Sequence, residues 1–191
     1  MPRWMNAANG LTALRLLLAP PIVAAMWTGR HALALALFAL AAATDLLDGA
    51  VARRFGLETP FGAYLDPIAD KCLLSAMFLA MAGARMVPWW FVIIVLGRDA
   101  YLLLAAAILL RFTHRRKFPP SVWGKASTFV QIVTAIAALT AGMIGHPNAW
   151  IPVAALIRIS AVFTLWSGVE YTWRAIAMVV HSSAITDASA L

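Results

Sequence analysis

Four aspartates lie between positions 45 and 70 of a chain that has only eight acidic residues in 191. They form two pairs, Asp45 with Asp48 and Asp66 with Asp70, and each pair borders a long apolar run. Residues three or four positions apart share a helix face, so each pair can present two carboxylates to one side. Carboxylates suit hard divalent cations such as Mg²⁺, Mn²⁺ and Ca²⁺. The spacing therefore predicts a metal site, and two such ions about 3.5–4 Å apart form a clamp suited to phosphoryl chemistry.

Basic and small residues on the same stretch allow other interpretations. A structural salt-bridge network with Arg53 and Lys71 could offset the buried carboxylates. A carboxylate cluster in a membrane could instead carry ions or protons. Gly49 and Gly62 could serve only helix packing, or could let a ligand approach the backbone closely, and Arg53 could pair with a diphosphate. The residues alone leave these possibilities open.

The composition is that of a polytopic membrane protein. Hydrophobic residues make up 63% of the chain and charged residues 12%, whereas soluble domains carry about 25% charged residues. The net charge of +7 indicates basic loops at an anionic membrane surface. Nucleic-acid binding is not favoured, because no basic face alternates with exposed aromatic residues. The single cysteine, Cys72, excludes a disulfide framework and a cysteine-based metal site.

Six apolar segments predict an all-α fold with six transmembrane helices. The first is interpreted as a retained helix rather than a signal peptide, and Pro20-Pro21 should kink it. Residues 1–175 are expected to form one membrane domain and 176–191 a polar, disordered tail. The segments span approximately residues 11–28, 32–54, 61–84, 88–110, 122–144 and 149–173.

Loop charges predict the orientation, because basic residues concentrate on the cytoplasmic side. One set of loops and ends contains Arg3, Arg53, Arg54, Arg111, Arg115, Arg116, Lys117, Lys125 and Arg174. The opposite set contains only Arg30 and Arg85. Both termini and the active site are therefore expected at the cytoplasmic interface. The basic loop that begins at Arg111 either anchors the chain there or binds an acidic substrate.

The aspartate pairs belong to a longer pattern, Asp45-x2-Asp48-Gly49-x2-Ala52-Arg53-x8-Gly62-x3-Asp66-x3-Asp70. It resembles the signature of the CDP-alcohol phosphotransferase family at all eight positions, and the six-helix layout is also similar. The resemblance implies transfer of a phosphatidyl group from CDP-diacylglycerol to an alcohol, with release of CMP. It also implies a homodimer, and we expect it in a bacterial inner membrane.

The resemblance further implies roles for individual residues. Asp45, Asp48 and Asp66 would ligate two divalent cations, Mg²⁺ or Mn²⁺, and Asp70 would complete the cluster and act as the general base. The CDP pocket would be formed by Gly49, Ala52, Arg53, Gly62, Asn9 and Thr12. The last two belong to an Asn-x2-Thr-x2-Arg element that ends at Arg15, for which a helix cap and a snorkelling arginine are the alternative.

Three basic residues are candidates for binding the acceptor: Arg98, Lys125 and Arg158. The arginines lie deep in apolar segments, where charge is a functional signal, although Arg98 could simply pair with Asp99. Lys125 lies in a Gly-Lys-x2-Thr-x2-Gln element similar to that of enzymes making phosphatidylglycerophosphate and cardiolipin. The former tend to have Arg-Glu where this chain has Arg98-Asp99, so glycerol 3-phosphate and phosphatidylglycerol both stay open as acceptors.

Other activities are weaker alternatives. Inositol phosphate or serine could be the acceptor, although those branches of the family look less similar. Outside enzymes, an ion transporter would suit intramembrane carboxylates, but transporters commonly show internal repeats and sites near the midplane. Here the aspartates lie at one interface and the sequence shows no repeat. A catalytically inactive family member is disfavoured because all eight signature positions are intact.

Overall fold

The computed structural model describes the backbone of residues 7–55, 60–112 and 121–188. Within these ranges, side chains are described except at 7–13, 15, 45–55, 60–70, 106–112, 175 and 177–188. All regular structure in the described ranges is helical. The α-helices are α1 (Ala7–Trp27), α2 (His31–Phe55), α3 (Pro60–Gly83), α4 (Trp89–Phe112), α5 (Val122–Ile144) and α6 (Trp150–Ala188), with a 3₁₀ turn at Pro147–Ala149.

Each predicted apolar segment corresponds to one helix, and the all-α prediction is confirmed for the described residues. Helix α1 contains both Pro20 and Pro21 within its bounds. Helix α6 departs most from the prediction, because it continues to Ala188. The part of the polar tail up to that residue lies within the bounds of α6. Beyond Trp173 the sequence contains no glycine or proline that would stop a helix.

Contacts at the helix ends establish the directions of α1, α2, α3 and α5. Trp27 is the last residue of α1, and Gly83 is the last residue of α3. Trp27 Nε1 lies 3.5 Å from the position that a Cβ added at Gly83 would take. His31, which begins α2, lies against Gly142 near the end of α5, with Cδ2 2.9 Å from the equivalent Cβ position. We call this end of the bundle the distal end. The opposite end, where α2 finishes and α3 begins, is called the aspartate end. Helix α1 and helices α3 and α5 thus run towards the distal end, and α2 runs away from it.

Many of the described buried hydrophobic side chains lie in the distal half of the bundle. Phe78 of α3 and Phe91 of α4 are fully buried, and their rings meet edge to face at 5.2 Å. Ile22 of α1 and Leu139 of α5 are equally buried in the same cluster. Helix α1 packs on α2 and α3, α5 packs on α6 and α2, and α4 packs on α6 and α3. This packing fixes the helices that carry the polar residues of the aspartate end.

The outer surface is apolar. Leu17, Ile93 and Ile151 are among many large hydrophobic side chains that are more than half exposed. Among the described residues, Val122–Ile144 and Pro147–Arg174 are long and apolar enough to cross a membrane, judged by length and composition. A surface of this kind is typical of a protein that faces lipid.

Candidate active site

The aspartate pairs lie on regular helix. Asp45 and Asp48 are in the second half of α2, and Asp66 and Asp70 are in the first half of α3. Each pair therefore shares a helix face, as the sequence predicts. Residues 56–59 separate the two helices, so the end of α2 and the start of α3 are close together. The aspartate side chains lie outside the described residues.

The two helices bring the aspartates to matching levels. Trp27, His31 and Gly83 line one cavity of about 550 Å³ at the distal end, so α2 begins where α3 finishes. At 1.5 Å rise per residue, Asp45 lies about 21 Å along α2 from His31. Asp70 lies about 20 Å along α3 from Gly83. The remaining aspartate of each helix lies about 26 Å from the same reference residue. The two pairs of positions on these antiparallel helices therefore lie at matching distances from the distal end.

The expected CDP-binding residues belong to the same end. Gly49, Ala52 and Arg53 lie in the last turns of α2, and Gly62 lies in the first turn of α3. Asn9 and Thr12 lie in the first turns of α1, which starts at the aspartate end. Their side chains lie outside the described residues. Among the side chains that are described, no group of three His, Cys, Asp or Glu residues could hold a metal ion.

Asp99 of α4 accepts hydrogen bonds from two cations at this end. Lys71, which follows Asp70 on α3, donates from Nζ to both Asp99 oxygens at 2.7 and 2.8 Å. Arg98 Nη1 donates to Asp99 Oδ1 at 2.8 Å. The side chains of Arg98 and Asp99 are only 7% and 11% exposed. The Arg98–Asp99 pair that the sequence left open is therefore present, and the contact between Lys71 and Asp99 joins α3 to α4.

The guanidinium of Arg98 is buried among three helices. Its Nη2 donates to Ser167 Oγ on α6. It also lies 3.4 Å from the position that a Cβ at Gly124 of α5 would occupy. Arg98 Nε is buried and, among the described residues, has no hydrogen-bond partner. A buried arginine normally uses most of its five donors, so this atom is an orphaned donor directed into the protein.

The start of α5 is fixed against α6. Ser121 caps α5 by accepting from Gly124 N at 3.2 Å, and its own N–H donates to Tyr171 Oη at 3.0 Å. The Ser121 hydroxyl also contacts Glu170, which accepts from Arg174 at 2.5 Å. Lys125, one residue after Gly124, is exposed. The structure thus brings the backbone of Lys125 next to Arg98.

Polar side chains continue from this point into the interface of α5 and α6. Ser127 and Thr164 hydroxyls lie 3.1 Å apart, and Gln131 Nε2 donates to Thr164 Oγ1 at 3.0 Å. All three residues are fully buried. Gln131 Oε1 and Ser160 Oγ have no partner among the described residues. Hydrogen bonds of this kind hold helices together where no water competes.

Sequence reasoning missed the contribution of α6. Its polar residues contact Arg98 and the start of α5, and they recur at helical spacing along one face: Ser160, Thr164, Ser167 and Tyr171. That spacing within an otherwise apolar segment is the signal that could have identified them.

Arg158 is not brought together with the other acceptor-site candidates. Its side chain is exposed, and Nη1 donates to Ala154 O of its own helix at 3.3 Å. Arg158 lies nine residues before Ser167, the residue of α6 that contacts Arg98. This separation corresponds to about 14 Å along the helix, towards the distal end.

Comparison with known proteins bears on what this site does. The sequence model of the CDP-alcohol phosphatidyltransferase family matches residues 5–166. A probable phosphatidylglycerophosphate synthase of Mycobacterium tuberculosis is 36% identical over 183 residues, which cover 91% of this chain and 83% of the relative. The CDP-diacylglycerol–glycerol-3-phosphate 3-phosphatidyltransferase of Escherichia coli K12 is 32% identical over 174 residues, covering 87% of this chain and 92% of that protein. The protein of that name from Shigella sonnei matches to the same extent.

Proposed function

Since the chain belongs to the CDP-alcohol phosphatidyltransferase family, we propose that it transfers the phosphatidyl group of CDP-diacylglycerol to glycerol 3-phosphate. A hydroxyl oxygen of the acceptor attacks the lipid-side phosphorus, the bond from that phosphorus to CMP breaks, and phosphatidylglycerophosphate forms. The observation that carries the proposal is that relatives aligned over more than four fifths of both chains are named phosphatidylglycerophosphate synthase and CDP-diacylglycerol–glycerol-3-phosphate 3-phosphatidyltransferase. It favours glycerol 3-phosphate over phosphatidylglycerol as the acceptor.

The metal assignment is part of this proposal. The assignment is supported by the positions of Asp45, Asp48, Asp66 and Asp70, which lie on antiparallel helices at matching distances from the distal end. An all-carboxylate set is also the chemistry that hard cations prefer. When bound, the ions would hold the diphosphate and neutralise the charge of the departing CMP.

The other residues of the aspartate end bind and orient the substrates in this scheme. Asp70 accepts the proton of the attacking hydroxyl. The nucleotide lies against Gly49, Ala52, Arg53, Gly62, Asn9 and Thr12. Arg98 and Lys125 bind the acceptor phosphate, since a buried guanidinium forms strong charge-assisted hydrogen bonds to phosphate. Arg158 is left out of this site because it is exposed about 14 Å away along α6.

The membrane arrangement follows from the same premise. We place all six helices across a bacterial inner membrane, with the aspartate end and both termini cytoplasmic, and expect the homodimer of the family. Each helix has at least 21 residues, about 31 Å or more, which matches a bilayer core of about 30 Å. The basic loops at the aspartate end support this orientation, and the acyl chains of the donor can stay in the bilayer. In a Cys72→Ala background, cysteines introduced at the exposed positions Thr28 and Asn148 should react with an impermeant thiol reagent only from the periplasmic side. Labelling of these positions only from inside contradicts the orientation.

The reaction is tested by CMP release from the purified full-length protein in detergent. CDP-diacylglycerol and Mg²⁺ are supplied with one acceptor at a time: glycerol 3-phosphate, phosphatidylglycerol, inositol 1-phosphate or serine. We expect CMP only with glycerol 3-phosphate and none from Asp70→Asn. Asp187→Asn is the matched control, because it makes the same change outside the signature. CMP with phosphatidylglycerol alone would contradict the acceptor, and no CMP with any acceptor from folded protein would contradict the reaction.

A further inference from the structure

Asp99 connects cations from two different helices through one carboxylate. Lys71 Nζ of α3 and Arg98 Nη1 of α4 both contact Asp99 Oδ1, at 2.7 and 2.8 Å. Two cations that share one oxygen are close enough for a single phosphate group to span them. Without the carboxylate, their like charges would repel each other in this largely buried position. Asp99 therefore determines whether the two cations can lie side by side.

The arrangement around Arg98 has the properties of an anion site. The three side chains together carry a formal charge of +1. The Arg98 side chain is 93% buried, since 7% of it is exposed, and its Nε has no partner among the described residues. Leaving a charged donor buried and unpaired is unfavourable. A bound anion at this position would accept a hydrogen bond from Nε.

The location of the pair relates it to the proposed chemistry. Lys71 directly follows Asp70, the proposed base, in α3. On the other side, Arg98 Nη2 lies 3.4 Å from the Cβ position of Gly124, next to Lys125. An anion held between these residues would therefore lie between the aspartate-bearing helix α3 and the start of α5.

We propose that Asp99 is a positioning residue that holds Lys71 and Arg98 together as a cationic pair for the phosphate of the acceptor. The proposal rests on the proposed function, and it adds Lys71 to the acceptor site. Asp99 does not touch the acceptor; it orients the two groups that do. Loss of its charge weakens acceptor binding and leaves binding of the CDP-linked lipid unchanged.

The test is steady-state kinetics of Asp99→Asn in the full-length protein, with CDP-diacylglycerol and glycerol 3-phosphate varied separately. The KM for glycerol 3-phosphate is expected to rise at least about tenfold, while the KM for CDP-diacylglycerol stays within about twofold. Asp99→Glu keeps the carboxylate and should recover part of the loss. A role in stability alone would lower the melting temperature without this selective change in KM.

Tyr101→Phe is the matched control. It removes a neutral hydrogen bond between α4 and α6, from Tyr101 Oη to Thr172 at 2.7 Å, and leaves the cationic pair intact. It should leave both KM values unchanged. An equal rise in the acceptor KM in Tyr101→Phe and Asp99→Asn would overturn the proposal, because loosening of α4 would then explain both.

A second variant covers the case in which Asp99→Asn does not fold. Lys71→Met removes the more exposed partner, whose side chain is 33% exposed, and should raise the acceptor KM selectively. An unchanged acceptor KM in the folded variants overturns this proposal alone. If the wild-type protein releases no CMP with glycerol 3-phosphate, the proposed function fails, and this proposal fails with it.

Discussion

Gly124 lies where the start of α5 meets both Arg98 and α6, and its replacement by alanine tests the geometry of the site. A Cβ at this position would lie 3.2 Å from Tyr171 Cε2 and 3.4 Å from Arg98 Nη2. Carbon atoms normally pack at about 3.5–4.0 Å, so a neighbour must move by a few tenths of an ångström. Tyr171 is hydrogen-bonded to Ser121 N, and Arg98 is held by Asp99. Neither side chain can move without loss of a polar contact.

The expected magnitude combines two opposing effects on stability. Overpacking of this kind costs about 1–3 kcal/mol. Replacing glycine by alanine within a helix gains about 1 kcal/mol. The net change in the free energy of unfolding should therefore be a loss of about 0–2 kcal/mol. Because Arg98 is displaced, kcat/KM for glycerol 3-phosphate should fall about tenfold, equivalent to about 1.4 kcal/mol.

Two other glycines near Arg98 provide matched controls. A Cβ at Gly97, the preceding residue of α4, would meet nothing within 4 Å. A Cβ at Gly168 of α6 would lie 3.8 Å from Arg98 Cγ, an ordinary contact distance. Gly97→Ala and Gly168→Ala should therefore retain kcat/KM and show an equal or higher melting temperature in detergent. The reasoning is refuted if Gly124→Ala keeps wild-type kcat/KM and melts as high as Gly97→Ala.

Two further predictions concern the boundaries of the site. Removal of divalent cations with EDTA should abolish CMP release, and Mg²⁺ or Mn²⁺ should restore it; activity that survives exhaustive chelation contradicts the metal assignment. Arg158→Gln should leave the KM for glycerol 3-phosphate within about twofold of wild type. The reason is that Arg158 is exposed and lies about 14 Å along α6 from Ser167, which contacts Arg98. A tenfold rise in that KM would return Arg158 to the acceptor site.

The helices were predictable where the sequence carries local signals. Helix α5 has the predicted bounds because Ser121 caps its start, and Gly145, at φ 69°, ends it in the left-handed conformation. Both residue types are strong helix boundaries. No comparable stop follows Trp173, so the end of α6 could not be read from polarity alone.

The candidate site likewise has some features that the sequence predicts and others that depend on how the helices pack. The aspartate spacing on α2 and α3 is a local pattern, and it predicted correctly that each pair shares a helix. Ser167 and Tyr171 act through contacts with Arg98 and the start of α5, which are 69 and 50 residues away in the sequence. The spacing of these residues marks a polar face of α6, but which residues that face contacts depends on how the helices pack. The Arg98–Asp99 pair was ambiguous because sequence neighbours on a helix diverge, but a long arginine side chain can turn back to its neighbour.

The length of α6 also matters for handling the protein. Past Arg174, whose side chain contacts Glu170, the helix continues to Ala188, about 21 Å further. The described part of α6 therefore extends about four helical turns beyond the contacts that hold the start of α5. A tag or tether attached after this helix is separated from those contacts by the same length of chain, so it should leave them undisturbed.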